Sequence, residues 1–256
     1  MSRKMLINAH DPEESRIAVI EGGLLEEFYI ERTSRETLVG NVYKGRVANV
    51  LPSLRAAFVD IGLKGKNGFL HASDVVGSIE RNGSGSQLEE EAIEDAADRK
   101  GREEPPIQKL LTVGQEVLAQ VSRDGMGEKG PSLTMDISLP GRYLVITPRV
   151  RRVAVSKRIE EPAEREALRK LLEELDPPRN LGFIIRTAGA EKSVRDLKRD
   201  LDYLLRLWKA VVVRAQNTRA PAPVFQESDL VIRTIRDIFT TDIDEIIIDS
   251  FPIYNR

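Results

Sequence analysis

The chain has 256 residues, 41% of them hydrophobic and 31% charged, and no cysteine. That composition supports one large core or two to three small ones and excludes fibrous and wholly disordered classes. The lack of cysteine excludes disulfides and thiolate metal sites and fits a reducing cytoplasm. Apolar runs such as Val211–Val213 and Ile246–Ile248 are short, far below the ~20 residues that span a bilayer. Met1-Ser2-Arg3-Lys4 opens the chain without an apolar signal-peptide core. A cytoplasmic protein with no membrane segment is therefore expected. Net charge is −2, but residues 77–106 carry nine acids and four bases, which leaves +3 for the remainder. Such a distribution permits phosphate binding and does not by itself indicate it.

In chain order, Met5–Asn8, Arg16–Ile20 and Leu24–Ile30 read as strands, with Glu21-Gly22-Gly23 as a hairpin turn. A second β-rich stretch, about Gly40 to Leu70, is punctuated by Gly45, Gly62, Gly65 and Gly68, as in a small barrel with tight bends. Residues 77–106 read as an acidic, solvated insertion with a fraying helix at Gln87–Lys100. The β-pattern resumes at Val113–Val121 and Pro131–Ser138, so the insertion splits the barrel. Arg142–Thr147, Val153–Ile159 and Gly182–Thr187 read as strands, Glu161–Leu175 and Lys192–Asn217 as helices. Pro221 and Pro223 stop the second of these helices. A helix over Asp229–Phe239 and a buried-type strand over Glu245–Asp249 follow. The chain thus reads as ending inside an α/β unit.

Several of these segments, taken in order, resemble the ribonuclease E/G family. They are Lys4–Asn8, Asn41-Val-Tyr-Lys-Gly45, Ala56-Ala-Phe-Val-Asp60, Gly68-Phe-Leu70, Val113–Val117, Gly182–Gly189 and Glu245–Asp249. The resemblance implies an α+β multidomain fold. An S1-type OB-fold β-barrel (37–139, with the acidic insertion 77–106) and an α/β 5′-sensor domain (140–214) are inserted into a discontinuous RNase H-like domain (1–36 and 215–256). It also implies that the family's DNase I-like domain with its metal-binding aspartates, its cysteine-bearing zinc link and its dimerisation domain are absent. No cofactor is then expected in this chain; Mg²⁺ is expected for the full-length enzyme, and homo-oligomers only with the missing domains.

Phe58 and Phe69 match phenylalanines that stack on bases of single-stranded RNA in the family's barrels; an exposed ring contributes roughly 1–3 kcal/mol per stacked base. The plain alternative is a core phenylalanine. Alternation sets Phe58 against Ala57 and Val59, which can fill the core, and so favours an outward ring. Lys44, Lys64 and Lys66 are basic neighbours, and the family match puts Arg123 and Lys129, flanking the glycine-rich loop Gly125–Gly130, on the RNA face. The resemblance assigns Arg186 and Thr187 to a 5′-monophosphate pocket, completed by backbone NH groups near Val145, and Lys157 and Arg158 to the RNA path. The chemistry is apt, since a guanidinium grips phosphate bidentately. A salt-bridged strand-end arginine is the alternative for Arg186, and a solvated cation the alternative for each lysine.

Asp242, Asp244, Glu245 and Asp249 have the look of a metal cluster, but the family uses this fold as scaffold. His10 and His71 lack ligand-like spacing. The leading expectation is the RNA-recognition part of an endoribonuclease that binds single-stranded RNA, preferably 5′-monophosphorylated. A stand-alone single-stranded RNA-binding module and a small active nuclease using the C-terminal acids are the alternatives.

Overall fold

The computed structural model describes residues 2–32, 37–75, 105–149, 153–190, 192–239 and 242–255. The expected helix at Gln87–Lys100 lies outside them. The chain is α+β and divides into two compact units, Met1–Thr37 with Glu227–Arg256, and Leu38–Gln226.

The first unit is a four-stranded sheet in the order β14-β1-β2-β3. Its strands are β1 (Arg3–Asn8), β2 (Glu14–Glu21), β3 (Leu24–Arg32) and β14 (Glu245–Ile248). β1 is antiparallel to β2 and parallel to β14. The β2–β3 turn uses Gly22 and Gly23 at φ 57° and 86°, a left-handed pair that glycine adopts without a Cβ penalty. Met5, Ile7, Ile17 and Val19 alternate onto one sheet face and pack with Leu230 and Val231 of helix α4 (Leu230–Ile238). Asp229 caps that helix, accepting from the Ile232 amide at 3.1 Å.

In the second unit, five strands close a barrel. They are β4 (Val42–Leu51), β5 (Ala56–Asp60), β6 (Gly68–His71), β7 (Glu116–Arg123) and β8 (Ser132–Thr134). Hydrogen-bonded neighbours run β4-β5-β6-β8-β7, and β7 returns to β4. All pairs are antiparallel except β6–β8. This five-stranded, Greek-key closure is consistent with an OB-fold. Val47, Ala57, Val59, Leu70, Val117, Ala119, Val121 and Leu133 fill the interior, joined by Ile107 from the helical turn α1 (Ile107–Leu110).

A smaller sheet, β11-β12-β10-β9, follows: β9 (Leu139–Pro140), β10 (Leu144–Thr147), β11 (Val153–Val155) and β12 (Gly182–Ile185). Leu144, Ile146, Phe183 and Ile185 point from one face into a core shared with α2 (Pro162–Glu174) and α3 (Val194–Asn217). The α3 residues that meet it are Leu197, Leu201, Leu204 and Val211, a helical repeat of three and four. One strand escapes the sequence reading. Pro221 and Pro223 mark a helix stop there, yet Ala222–Phe225 forms β13 and pairs with β4. Proline is tolerated because β13 is an edge strand bonded on one side only.

Candidate nucleic-acid interface

The outer wall of the barrel follows from the pleat. Ala57, Val59 and Leu70 are fully buried, so Phe58 and Phe69, between or beside them, face out and are partly exposed. The two rings stand opposite each other across β5 and β6. Their centroids are 5.9 Å apart with planes at 70°, an edge-to-face pair. The row continues on both sides. Asn49 of β4 is opposite Phe58, Ser132 of β8 is beside Phe69, and Arg123 of β7 is opposite Ser132. Asn49 and Arg123 are exposed. One lateral row, Asn49–Phe58–Phe69–Ser132–Arg123, therefore crosses all five strands, with two aromatic rings at its centre and a guanidinium at one end. Next to it, burial pushes the Asp74 carboxyl up, opposed by a hydrogen bond from Thr134 and by the charges of His71 and Arg123.

Lys129 is exposed in the β7–β8 loop. Two glycines of this loop, Gly125 and Gly130, have a packing reason. A Cβ on Gly130 would lie 1.9 Å from the Asn67 carbonyl oxygen, and one on Gly125 would lie 2.3 Å from that of Lys129. The loop is held by backbone approach and by Lys66, whose Nζ donates to the Gly127 carbonyl at 2.7 Å. Lys44 stands apart from the aromatic row. Its Nζ pairs with Glu116 at 2.9 Å and donates to the Thr218 carbonyl at 3.0 Å.

A second constellation surrounds the end of β12. Arg186 donates its amide to Tyr143 O at 2.7 Å and its guanidinium to Gly141 O at 2.8 Å. Thr187 opens a 3₁₀ turn, Thr187–Gly189, and is exposed. Its hydroxyl lies 3.4 Å from that of Ser156, and the Ser156 amide bonds Ile185 O at 2.8 Å. Ser156 begins the turn that presents Lys157 and Arg158, both exposed. Arg165 of α2 holds this turn by donating to Ser156 O at 2.9 Å and Ile159 O at 3.0 Å. Val145 lies opposite Ile184 on the adjacent strand. By alternation Val145, Ile184 and Arg186 share the sheet face turned away from the helices. Thr187, Lys157 and Arg158 are thus brought together through Ser156, beside Arg186.

The anchor of this region was not singled out in the sequence. Asp200, on α3, accepts from three consecutive amides, Arg142 at 3.1 Å, Tyr143 at 2.8 Å and Leu144 at 2.8 Å. A Cβ at Gly141 would come within 2.5 Å of its Oδ2. Asp200 thereby fixes the turn whose Gly141 carbonyl orients Arg186. A signal existed: Asp200 interrupts the Leu197, Leu201, Leu204 stripe, where a carboxylate needs dedicated donors.

The acids near the C-terminus do not assemble a metal site. Asp242 accepts from Arg3, Asp244 from the Arg3 amide and Glu245 from Lys4. The Ala9 amide, with Asn8, holds the Asp249 carboxyl below the usual range. Among the described residues no three metal-ligating side chains come together.

Asp200→Asn replaces one acceptor oxygen with an amide and sets donor against donor. The expected loss is about 1–3 kcal/mol of unfolding free energy, read by urea denaturation. An unchanged midpoint would show that the three amides do not depend on the carboxylate.

The model of the ribonuclease E/G family matches residues 138–256. Ribonuclease G of Salmonella typhimurium is 41% identical over 254 residues, 99% of this chain and 49% of the relative. Ribonuclease G of Escherichia coli K12 matches to the same extent. Ribonuclease E of Haemophilus influenzae is 40% identical over 255 residues, 99% of this chain and 26% of the relative. The chain spans about half the length of the ribonuclease G relatives it matches. With nearly every residue aligned at this identity, the chain belongs to the ribonuclease E/G family.

Proposed function

We propose that this chain is the RNA-recognition part of an endoribonuclease, binding single-stranded RNA on the barrel wall and a 5′-monophosphate at Arg186 and Thr187. The observation that carries the reading is the outward aromatic pair in a row that ends on Arg123. Strands two and three of an OB barrel are the usual oligonucleotide-binding face, and stacking tolerates any base. In this reading the barrel is of the S1 type, the β9–β12 sheet with α2 and α3 is the 5′-sensor domain, and the first unit is RNase H-like. The order β14-β1-β2-β3 with β1 and β14 parallel supports the last assignment. Hydrolysis would need Mg²⁺-activated water held by residues other than those described. RNA processing and decay in the cytoplasm is the corresponding setting. No helix among the described residues is long and apolar enough to cross a membrane.

The 5′ end is read by charge and hydrogen-bond count. A monophosphate carries about −1.5 to −2 charge at neutral pH, a 5′-hydroxyl carries none, and a triphosphate is too bulky for a pocket closed around one phosphate. Arg186 donates one N–H to Gly141 O, which sets the plane of its guanidinium beside Thr187. Each charge-assisted hydrogen bond contributes on the order of 1.5–3 kcal/mol.

Three RNAs of one sequence, differing only at the 5′ end, are the test. The chain should bind the monophosphate form most tightly. Arg186→Ala should erase most of that preference and Thr187→Val less; Arg186→Lys should not restore it, because an ammonium lacks the two parallel bonds. Equal affinities contradict the sensor assignment. Phe58→Ala and Phe69→Ala should each weaken all three RNAs alike, by roughly 1–3 kcal/mol. A collapse of stability by about 3–5 kcal/mol would mark that ring as core.

The purified chain with Mg²⁺ or Mn²⁺ should not cut RNA. Metal-dependent cleavage abolished by Asp249→Asn or Asp244→Asn would favour a small nuclease instead.

A further inference from the structure

Helix α3 is long enough to do more than fill a core. Its buried stripe meets the small sheet, and its opposite face carries Arg195, Lys198, Arg199, Arg206, Lys209 and Arg214, all exposed. Asp202 is the one acid among the exposed residues of the helix. Asp196 is half-buried, accepts from Ser193, and draws on the charge of Arg199. Asp200 is committed to the Arg142–Leu144 amides. Among the described residues, Arg195, Lys198, Arg206, Lys209 and Arg214 make no ion pair or side-chain hydrogen bond. Tyr203, 49% exposed, stands among these cations.

A soluble helix normally intersperses charges of both signs, since like charges three or four apart repel. α2 in the same unit does so, with Glu166 paired to Arg169 and Lys170. α3 does not, and from Arg195 to Arg214 its cations extend over about 29 Å at 1.5 Å per residue. The ends of the helix matter as well. It starts just after the Thr187–Gly189 turn. It finishes at Thr218, whose carbonyl receives Lys44 of the barrel.

We infer that the exposed face of α3 is a further RNA-binding surface, a cationic track for the phosphodiester backbone with Tyr203 as a stacking ring. Charge complementarity favours a polyanion. A row of unpaired cations with an aromatic among them is the composition of a single-strand track. The choice of RNA as occupant rests on the function proposed above; the site itself is separate from the barrel row and the Arg186 turn. The face holds the nucleic acid electrostatically and carries no sequence preference.

The experiment compares the full chain, the triple variant Lys198→Gln/Arg206→Gln/Lys209→Gln, and Phe58→Ala. Each is titrated with labelled single-stranded oligouridine over a salt series. Each lost phosphate contact removes about 0.7 from the slope of log affinity against log salt. The triple variant should therefore flatten by about 2 and bind at least about tenfold more weakly at low salt. Phe58→Ala should lower affinity at an unchanged slope. As a check that needs no variant, oligouridine should protect Lys198 and Lys209 of the unmodified chain from amine acylation. Unchanged slope and affinity in the triple variant, or equal acylation with and without RNA, overturns the proposal. So does a labelled polyglutamate that binds the chain as tightly as oligouridine and loses binding in the triple variant, because the face then takes an acidic protein. A flattened slope in the triple variant with no effect of Phe58→Ala upholds this surface and removes the barrel reading.

Discussion

Strand β4 has to pair on both edges at once, with β5 and β13 on one side and β7 on the other. A strand of ten residues cannot do so flat. It bends, and Gly45 sits at the middle of it with no room for a side chain. A Cβ there would meet Val59 Cγ1 at 2.5 Å and the Asp60 carbonyl oxygen at 3.0 Å. Closure of the barrel depends on this approach, and closure is what fixes the alternation of β5 and β6. Once Ala57, Val59 and Leu70 must point inward, Phe58 and Phe69 have no other direction than out. The aromatic pair is a consequence of the closure, and so is the row that places Arg123 in register with it.

The second constellation depends on a different constraint. A helix carboxylate satisfies three successive amides, which fixes a turn, which fixes a carbonyl, which orients a guanidinium. Removal of any step loosens Arg186 without touching it. Serine 156 plays the same part on the other side, tying Thr187 to the turn that shows Lys157 and Arg158. Both constellations and the cationic face of α3 lie in one compact unit, so one fold positions the aromatic pair, the Arg186 turn and the basic helix face.

Much of this was legible in the sequence because it follows from periodicity. The strands at Met5, Arg16 and Leu24 and the helices near 161–175, 192–217 and 229–239 appear within a residue or two of their observed bounds. Phe58 was readable from its small neighbours. The β13 strand was not, because Pro221 just before it and Pro223 within it signal a break unless one knows that the strand lies on an edge. Asp200 was passed over because a carboxylate among leucines reads as one more charge on a helix until its three donors are seen. Asn49 and Ser132 are ordinary polar residues, and only the strand register, with its bulges after Val47 and Val121, sets them in line with the rings. The face of α3 was hidden by arithmetic, since a net charge of −2 averages a basic helix with an acidic insertion.

The central claim is that the outward aromatic row is where single-stranded RNA lies. The chain has seven phenylalanines, and Phe183 is fully buried in the other core of the same unit, which makes a built-in reference. With ring-labelled phenylalanine, NMR spectra of the chain during titration with a 5′-monophosphorylated oligonucleotide report on each ring directly. The account predicts that the Phe58 and Phe69 resonances shift with saturation while that of Phe183 stays in place. RNA binding that leaves the Phe58 and Phe69 signals unmoved would contradict it.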